Sequence, residues 1–463
     1  MKVIVFGIGK YFQNNKKRFC NVEIVAFADN NSNKHGTVYE GVKVISPVDI
    51  QKYNYDFVVV MSTLYSVTMT KQLMNLGIES DKIIGFEEFI NKAPVYIEGI
   101  TSFFYTTRKR NKSNGKKVVA LSHELTLTGA PIVFYYALKI LHEQGFEVCV
   151  YAPIDGPLRE KYLDAGISVA IDSSIVDSND FLIRTFESYD YLFVNTLVFG
   201  KIVEKMHLSD IEIIWWIHES SAVYDLAYSA IPNYVGENTR VFCVGNWAKK
   251  QFLSHTQNIE CSELLYGIPN EIEKLADRYV LHDNRIIFAN VGVVQERKGQ
   301  ENFVEAISRM NPELREAAEF WIIGDCKLYP DYVEKSKRIA NKYSNIKWID
   351  TVAQEELFEL YKKIDVLVCS SLDDPMPVVV TEAMMNYRPC IVSTHTGTAD
   401  LITDNVDGFV CNPNVESLCE KMEYIITNKT VLLDVAKKGY LVYKNNFSLN
   451  IFKHNILKIF NAE

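Results

Sequence analysis

Positive charge is in short supply. Against 58 Asp and Glu stand 49 Lys and Arg, a formal net charge of -9, which excludes a general nucleic-acid binder because phosphate neutralisation needs clustered cations. Cysteine is sparse and unpatterned: nine are scattered from Cys20 to Cys419, with no CxxC pair and no metal-like spacing. A disulfide framework is excluded and free thiols in a reducing cytosol are expected. Cys149, Cys243 and Cys369 lie inside apolar runs, where a small buried hydrophobe belongs. Long apolar runs are missing as well. Runs such as Ile213 to Ile217 fall far short of the roughly 20 residues that cross a bilayer. The opening MKVIVFGIGK meets glycine early and has no small-residue cleavage site, so it reads as a strand rather than a signal peptide. A cytoplasmic location follows as the expectation.

What is present is ordinary folded protein, 48% apolar and 23% charged over 463 residues. At roughly 100 to 200 residues per domain, three domains are expected. Short β-branched runs alternate with helical stretches, the pattern of parallel α/β sheets. The runs fall into three groups, beginning at Val3, Val118 and Ile286. Between the first two lies TSFFYTTRKRNKSNGKK, where apolar periodicity stops and Arg108, Lys109, Arg110, Lys112, Lys116 and Lys117 gather. This segment marks a domain boundary and reads first as a solvated linker. With Phe103, Phe104 and Tyr105 ahead of the cations, peripheral contact of the segment Phe103 to Lys117 with an anionic membrane or a lipid-linked acceptor is the second reading. A further boundary falls near Asn270 to Asn284. The predicted division is residues 1–98, a basic linker 99–116, lobes at 117–275 and 276–445, and a terminal amphipathic helix at 446–463 packing back on the first lobe.

Chemistry gathers at predicted strand ends. SSLDDPMPVVVTEAM follows the strand Val366 to Val368 at its carboxyl end, where open α/β sheets place ligands. Pro375 and Pro377 stiffen the turn, and a helix starting near Pro377 would offer amides and a positive dipole end to a phosphate. Asp374 and Glu382 bracket seven residues and could grip two sets of sugar hydroxyls. Alone, Asp374 could equally be an N-cap and Glu382 a surface residue. After the strand from Ile286, Gly292 precedes Arg297 and Lys298, suited to a diphosphate as a planar fork and a mobile point charge. Gly129 and Pro131 open a helix in LTGAPIVFYYALKIL, where a residue without Cβ lets a ligand approach. His218 ends the strand Ile213 to Ile217, positioned for a sugar hydroxyl or for a structural role.

Together SHELTLTGAP, WWIHES, YGIPN, VGVVQERKGQ, IDVLVCSSLDDPMPVVVTEAM and the Gly397 and Gly408 loops resemble, in order over about residues 117 to 460, the family 4 retaining glycosyltransferases of GT-B fold. The resemblance implies two facing Rossmann-like domains and transfer of a sugar from a nucleotide sugar, UDP-linked in preference to GDP-linked. The acceptor would be a glycan or a lipid-linked hydroxyl in bacterial cell-surface polysaccharide synthesis. It implies catalytic roles for His218, Arg297, Lys298, Asp374 and Glu382, with Glu382 on the ribose. Donor contacts are implied at Gly129, Gly292, Val352, Asp373, Pro375, Met376, Pro377 and Val378, and acceptor-side ones at His123 and Glu219. No cofactor is expected, and the absence of any D-x-D triplet gives no support to a metal clamp. Asp374 replaces the family's usual glutamate, Tyr387 stands where glycine is common, and Asp400 replaces a glutamate.

The small first domain, Rossmann-like as well, carries part of a dinucleotide fingerprint in Gly7 and Gly9, with Phe12 at the third glycine position and Asp29 where an acid could bind a ribose. Cofactor binding, regulatory nucleotide binding and a structural role are all open on these residues. An NAD-dependent sugar oxidoreductase run by residues 1–98 lacks a Tyr-x-x-x-Lys or a placed histidine. An inactive GT-B scaffold is disfavoured by the retained Arg297, Lys298 and Glu382.

Overall fold

A computed structural model describes residues 1–19, 22–62, 65–86, 88–89, 103–106, 113–177, 180–227, 230–256, 258–270 and 285–462. Arg108, Lys109, Arg110 and Lys112, and the boundary near 270–284 except for its first residue, lie outside the described residues.

Three sheets follow one another along the chain. The first contains β1 (Lys2–Phe6), β2 (Glu23–Ala28), β3 (Val38–Tyr39), β4 (Val42–Ile45), β5 (Phe57–Val60) and β6 (Ile83–Gly85), in the order β3-β4-β2-β1-β5-β6. The second contains β7 (Phe103–Tyr105), β8 (Lys117–Leu121), β9 (Glu147–Ala152), β10 (Ser168–Ile171), β11 (Tyr191–Val194), β12 (Glu212–Ile217), β13 (Thr239–Cys243) and β14 (Ser262–Glu263), ordered β14-β13-β12-β11-β8-β9-β10-β7. The third contains β15 (Ile286–Val291), β16 (Ala318–Ile323), β17 (Ile346–Ile349), β18 (Val366–Cys369), β19 (Cys390–Ser393) and β20 (Phe409–Cys411), ordered β17-β16-β15-β18-β19-β20 and parallel throughout.

The central strands form because both faces are covered by helices, so uninterrupted apolar runs gain more from burial than alternating ones. In β18 all four residues are buried, and in β12 only Glu212 is exposed. Strand order reverses at β8, between β9 and β11, and at β15, between β16 and β18. Crevices at such reversals, outside the carboxyl ends, are where this architecture holds ligands.

The basic segment is not a bare linker at its start. Phe103–Tyr105 form β7, antiparallel to β10, with Phe104 packed edge-on against Tyr151 and the Arg159 guanidinium over Tyr105. Pairing to an existing sheet edge supplies hydrogen bonds that a free linker would leave to water. The closing helix Leu449–Ile459 lies on the second sheet's domain, with Phe452 against Trp216 and the Ile459 carbonyl accepting from Arg240. The first domain touches both others, through the Arg18–Asp177 ion pair and through Tyr65, whose ring lies 4.6 Å from that of Tyr329. Tyr387 occupies the left-handed region at φ 55°. Its ring stacks on Tyr440 at 4.1 Å, a contact that offsets the backbone cost glycine would avoid.

Candidate active site

In the third-sheet lobe, two loops leaving adjacent strands are fastened together. Gly299, at φ 69°, has no Cβ to collide with the Ser370 carbonyl, so the loop after β15 settles against the one after β18. The Ser370 hydroxyl lies 3.0 Å from the Lys298 carbonyl and 2.8 Å from that of Gly299, while Asn290 donates to the same hydroxyl oxygen. That joint brings Arg297 and Lys298 onto the acidic loop. Lys298 Nζ lies 2.5 Å from Asp374 Oδ2, and Arg297 Nη1 lies 3.7 Å from that oxygen and donates to the Asp373 carbonyl at 2.7 Å. Burial pushes the Asp374 carboxyl up, but Lys298 and Arg297 together hold it below the usual range.

The helix Val378–Met385 starts directly after Pro377, with no side chain capping it, so Asp374 is free of that task. Four residues into the helix, Glu382 Oε2 accepts from the Tyr361 hydroxyl at 3.0 Å. Burial raises Glu382 to about 7, and the Tyr361 bond offsets only part of that. The acidic loop is held by its neighbour, since Asp374 N–H donates to His395 O and Gly397 N–H to Asp374 O. Gly397 lacks the Cβ that would overlap the Pro375 carbonyl, and Met376 Sδ accepts from Thr398.

On the facing lobe, His218 directly follows β12 with its ring edge against Trp216, centroids 4.2 Å apart. Its Nε2 is buried without a hydrogen-bond partner among the described residues, as is Nδ1 of His123. Burial, with His123 nearby, pushes His218 down to about 3, so the ring is neutral at ordinary pH. A neutral imidazole can donate from one nitrogen and accept at the other. The helix Gly129–Glu143 brings Gly129 to the other lobe: a Cβ there would stand 3.4 Å from Val378 Cγ2. Gly292, at φ 144°, closes β15 beneath Lys298, and Val352 follows β17, half-buried.

Three sequence expectations are corrected. Asp373 does not share the pocket of Asp374; its carboxylate accepts from Ser221 and Trp247 of the opposite lobe. Glu219 does not face the cleft for an acceptor, because its buried carboxylate is used up by Thr196 Oγ1, Leu197 N–H and His218 N–H. In the first domain Asp29 is turned inward, accepting from Ile8 N–H and Lys34 Nζ. Gly7 holds φ 100°, Gly9 has open space around it, and Phe12 fills the third glycine position by packing on Phe27. Tyr361, Ser221 and Trp247 were not singled out from sequence. Trp247 carried one usable signal, its place just beyond the carboxyl end of β13.

Two parallel α/β lobes meeting at their carboxyl edges, with a cationic pair on one and a histidine on the other, define the GT-B class. The description "Glycosyl transferases group 1" matches residues 271–442, "Glycosyl-transferase family 4" matches 114–258, and "C2185-like, N-terminal" matches 1–84. The chain belongs to the family 4 glycosyltransferases of GT-B fold. An α-1,4-N-acetyl-D-galactosaminyltransferase of Campylobacter jejuni, named for a PP-undecaprenol-linked glycan, is 25% identical over 38% of this chain and 48% of its own length. The chain thus spans about half of that relative. An Escherichia coli UDP-Gal:α-D-GlcNAc-diphosphoundecaprenol α-1,3-galactosyltransferase is 22% identical over 68% of this chain and 88% of its own. Among solved structures, Anabaena HepE with UDP and glucose superposes with a TM-score of 0.62 at 14% identity, over 75% of this chain and 100% of that one.

Proposed function

We propose that this chain moves a sugar from a nucleotide-diphosphate sugar, a UDP-sugar in preference to a GDP-sugar, to a hydroxyl of a glycan or lipid-linked acceptor in cell-surface polysaccharide synthesis. The transfer retains configuration and needs no metal ion. The observation that carries the reading is the meeting of Arg297, Lys298 and Asp374 beside the helix that starts after Pro377. As the bond between anomeric carbon and diphosphate breaks, negative charge grows on the leaving group, and fixed cations with a helix N-terminus stabilise it most where water is excluded. The acceptor oxygen bonds the anomeric carbon and its proton passes to a diphosphate oxygen. Asp374 and the amides after Pro375 hold sugar hydroxyls, Glu382 holds the ribose, and neutral His218 contacts the sugar near its reacting face.

Support comes from relatives named for diphosphoundecaprenol-linked glycans and from the UDP and glucose in the Anabaena structure. The lack of a D-x-D triplet favours charge stabilisation by Arg297 and Lys298 over a divalent clamp. No helix among the described residues is long and apolar enough to cross a membrane. A lipid-linked acceptor would be met at a surface, for which the exposed Phe103 and Phe104 of β7 are suited. The test is a thermal-shift panel of nucleotide sugars followed by a transfer assay with wild type and Arg297→Ala. A donor should raise the melting temperature by mass action, and Arg297→Ala should abolish transfer. No shift with any UDP- or GDP-sugar, or undiminished transfer by Arg297→Ala, would overturn the reading.

A further inference from the structure

Asp373 precedes the sugar-side carboxylate Asp374 by one residue, yet its side chain belongs to the other lobe. It is 9% exposed. Its Oδ2 accepts from the Ser221 N–H at 2.7 Å and the Ser221 hydroxyl at 2.5 Å, and its Oδ1 accepts from the Trp247 indole N–H at 2.8 Å. Ser221 stands three residues after His218, at the start of the helix Ser221–Leu226. Trp247 lies in the first turn of the helix Asn246–His255, and its ring stacks on His395 with centroids 5.2 Å apart. The His395 carbonyl, in turn, accepts the Asp374 N–H. The backbone of Asp373 faces the other way, because its carbonyl takes the Arg297 guanidinium at 2.7 Å.

We propose that Asp373 is a closure latch: a positioning residue that draws the His218 segment of one lobe against Arg297, Lys298 and Asp374 of the other for the transfer step. The proposal rests on the glycosyltransferase reading. Each of its three side-chain hydrogen bonds crosses between the lobes, so none survives their separation. A carboxylate and its donors regain water when the lobes part, so the net strength of such bonds is modest and the latch is reversible. A carboxylate is also specifically required. Three donors converge on its two oxygens, and an amide in its place would set an NH2 group against one of those N–H or O–H groups.

The test uses the full chain with UDP as probe, measuring transfer, UDP affinity and small-angle scattering for Asp373→Ala, Asp373→Asn and Trp247→Phe. The first two should lower kcat by about 10- to 100-fold, as misplacement of a catalytic group does. Trp247→Phe, which keeps the ring on His395 and removes one hydrogen bond, should lower it by about 3- to 10-fold. UDP affinity should stay within about twofold of wild type, since the carboxylate is turned away from the cationic pair. The radius of gyration with UDP bound should exceed that of wild type. UDP affinity falling in step with kcat would place Asp373 in the donor pocket and overturn the latch, as would unchanged kcat together with unchanged scattering. Should wild type neither bind a nucleotide nor transfer a sugar, the functional reading fails by itself. Scattering without UDP then decides the latch, an expanded Asp373→Ala supporting it and an unexpanded one sinking it.

Discussion

The Lys298 ammonium pairs with Asp374 across the joint between the loops that follow β15 and β18. Removing one partner leaves a buried charge short of compensation, which is costlier than the pair's own net worth. Lys298→Ala and Asp374→Ala should each lower kcat/KM by about 100-fold. The double variant should be little worse than the poorer single one, because groups acting as a unit are not additive. A fully additive cycle in a steady-state transfer assay would show the two acting separately.

Glu382 titrates near 7 in the fold against 4.5 for the unfolded residue. With its folded value raised, its contribution to stability is fully present below about 4.5 and is lost as pH rises through about 7. Glu382→Gln should remove that loss, so thermal melts at pH 8 should favour the variant while those at pH 5 should not. Ribose hydroxyls donate best to the ionised carboxylate. UDP binding by wild type should therefore tighten roughly three- to tenfold from pH 6 to 8 relative to the same change in Glu382→Gln, measured calorimetrically.

His218, held at about 3, stays neutral across the working range. His218→Asn should cut transfer about tenfold as a lost contact, yet leave the shape of the pH–kcat profile between pH 5 and 9 unaltered. An inflection that disappears in the variant would assign the ring a proton-transfer role instead.

A Cβ on Gly397 would overlap the carbonyl of Pro375 and push the acidic loop away from Arg297. Gly397→Ala should cost about 1 to 3 kcal/mol of stability, the usual range for overpacking. Donor affinity should drop at least about tenfold, and titration with UDP, with a denaturant melt alongside, checks both.

At Tyr387 the positive φ and the Tyr440 stack oppose one another. Tyr387→Ala loses the ring and keeps the strain, whereas Tyr387→Gly loses the ring and relieves it. Gly should therefore be the more stable variant by about 1 kcal/mol in urea unfolding. The reverse order would locate the cost of losing Tyr387 elsewhere.

Legibility tracked burial. Strands covered on both faces, such as Ile213 to Ile217 and Val366 to Val368, were readable because each is an unbroken apolar run. Short edge strands such as Val38–Tyr39, Phe103–Tyr105 and Phe409–Cys411 were not, since their identity comes from the partner they pair with. In the site, the spacing from Asp374 to Glu382 and the Arg297–Lys298 pair stood out as chemistry crowded at strand ends. Asp373 and Glu219 looked equally suitable and were misassigned, because residue type and position say nothing of where a carboxylate turns.

The order of apolar runs, the glycines and prolines at strand ends and the placement of charge were set by the chain alone, since local sterics and burial act on neighbours in sequence. Where those charges meet was a tertiary matter. Asp373 found Ser221 and Trp247, and Glu382 found Tyr361, only once separate lobes and layers packed together. A hydrogen bond acts over about 3 Å, so its partner is chosen by folding geometry, however far apart the two residues lie in the sequence.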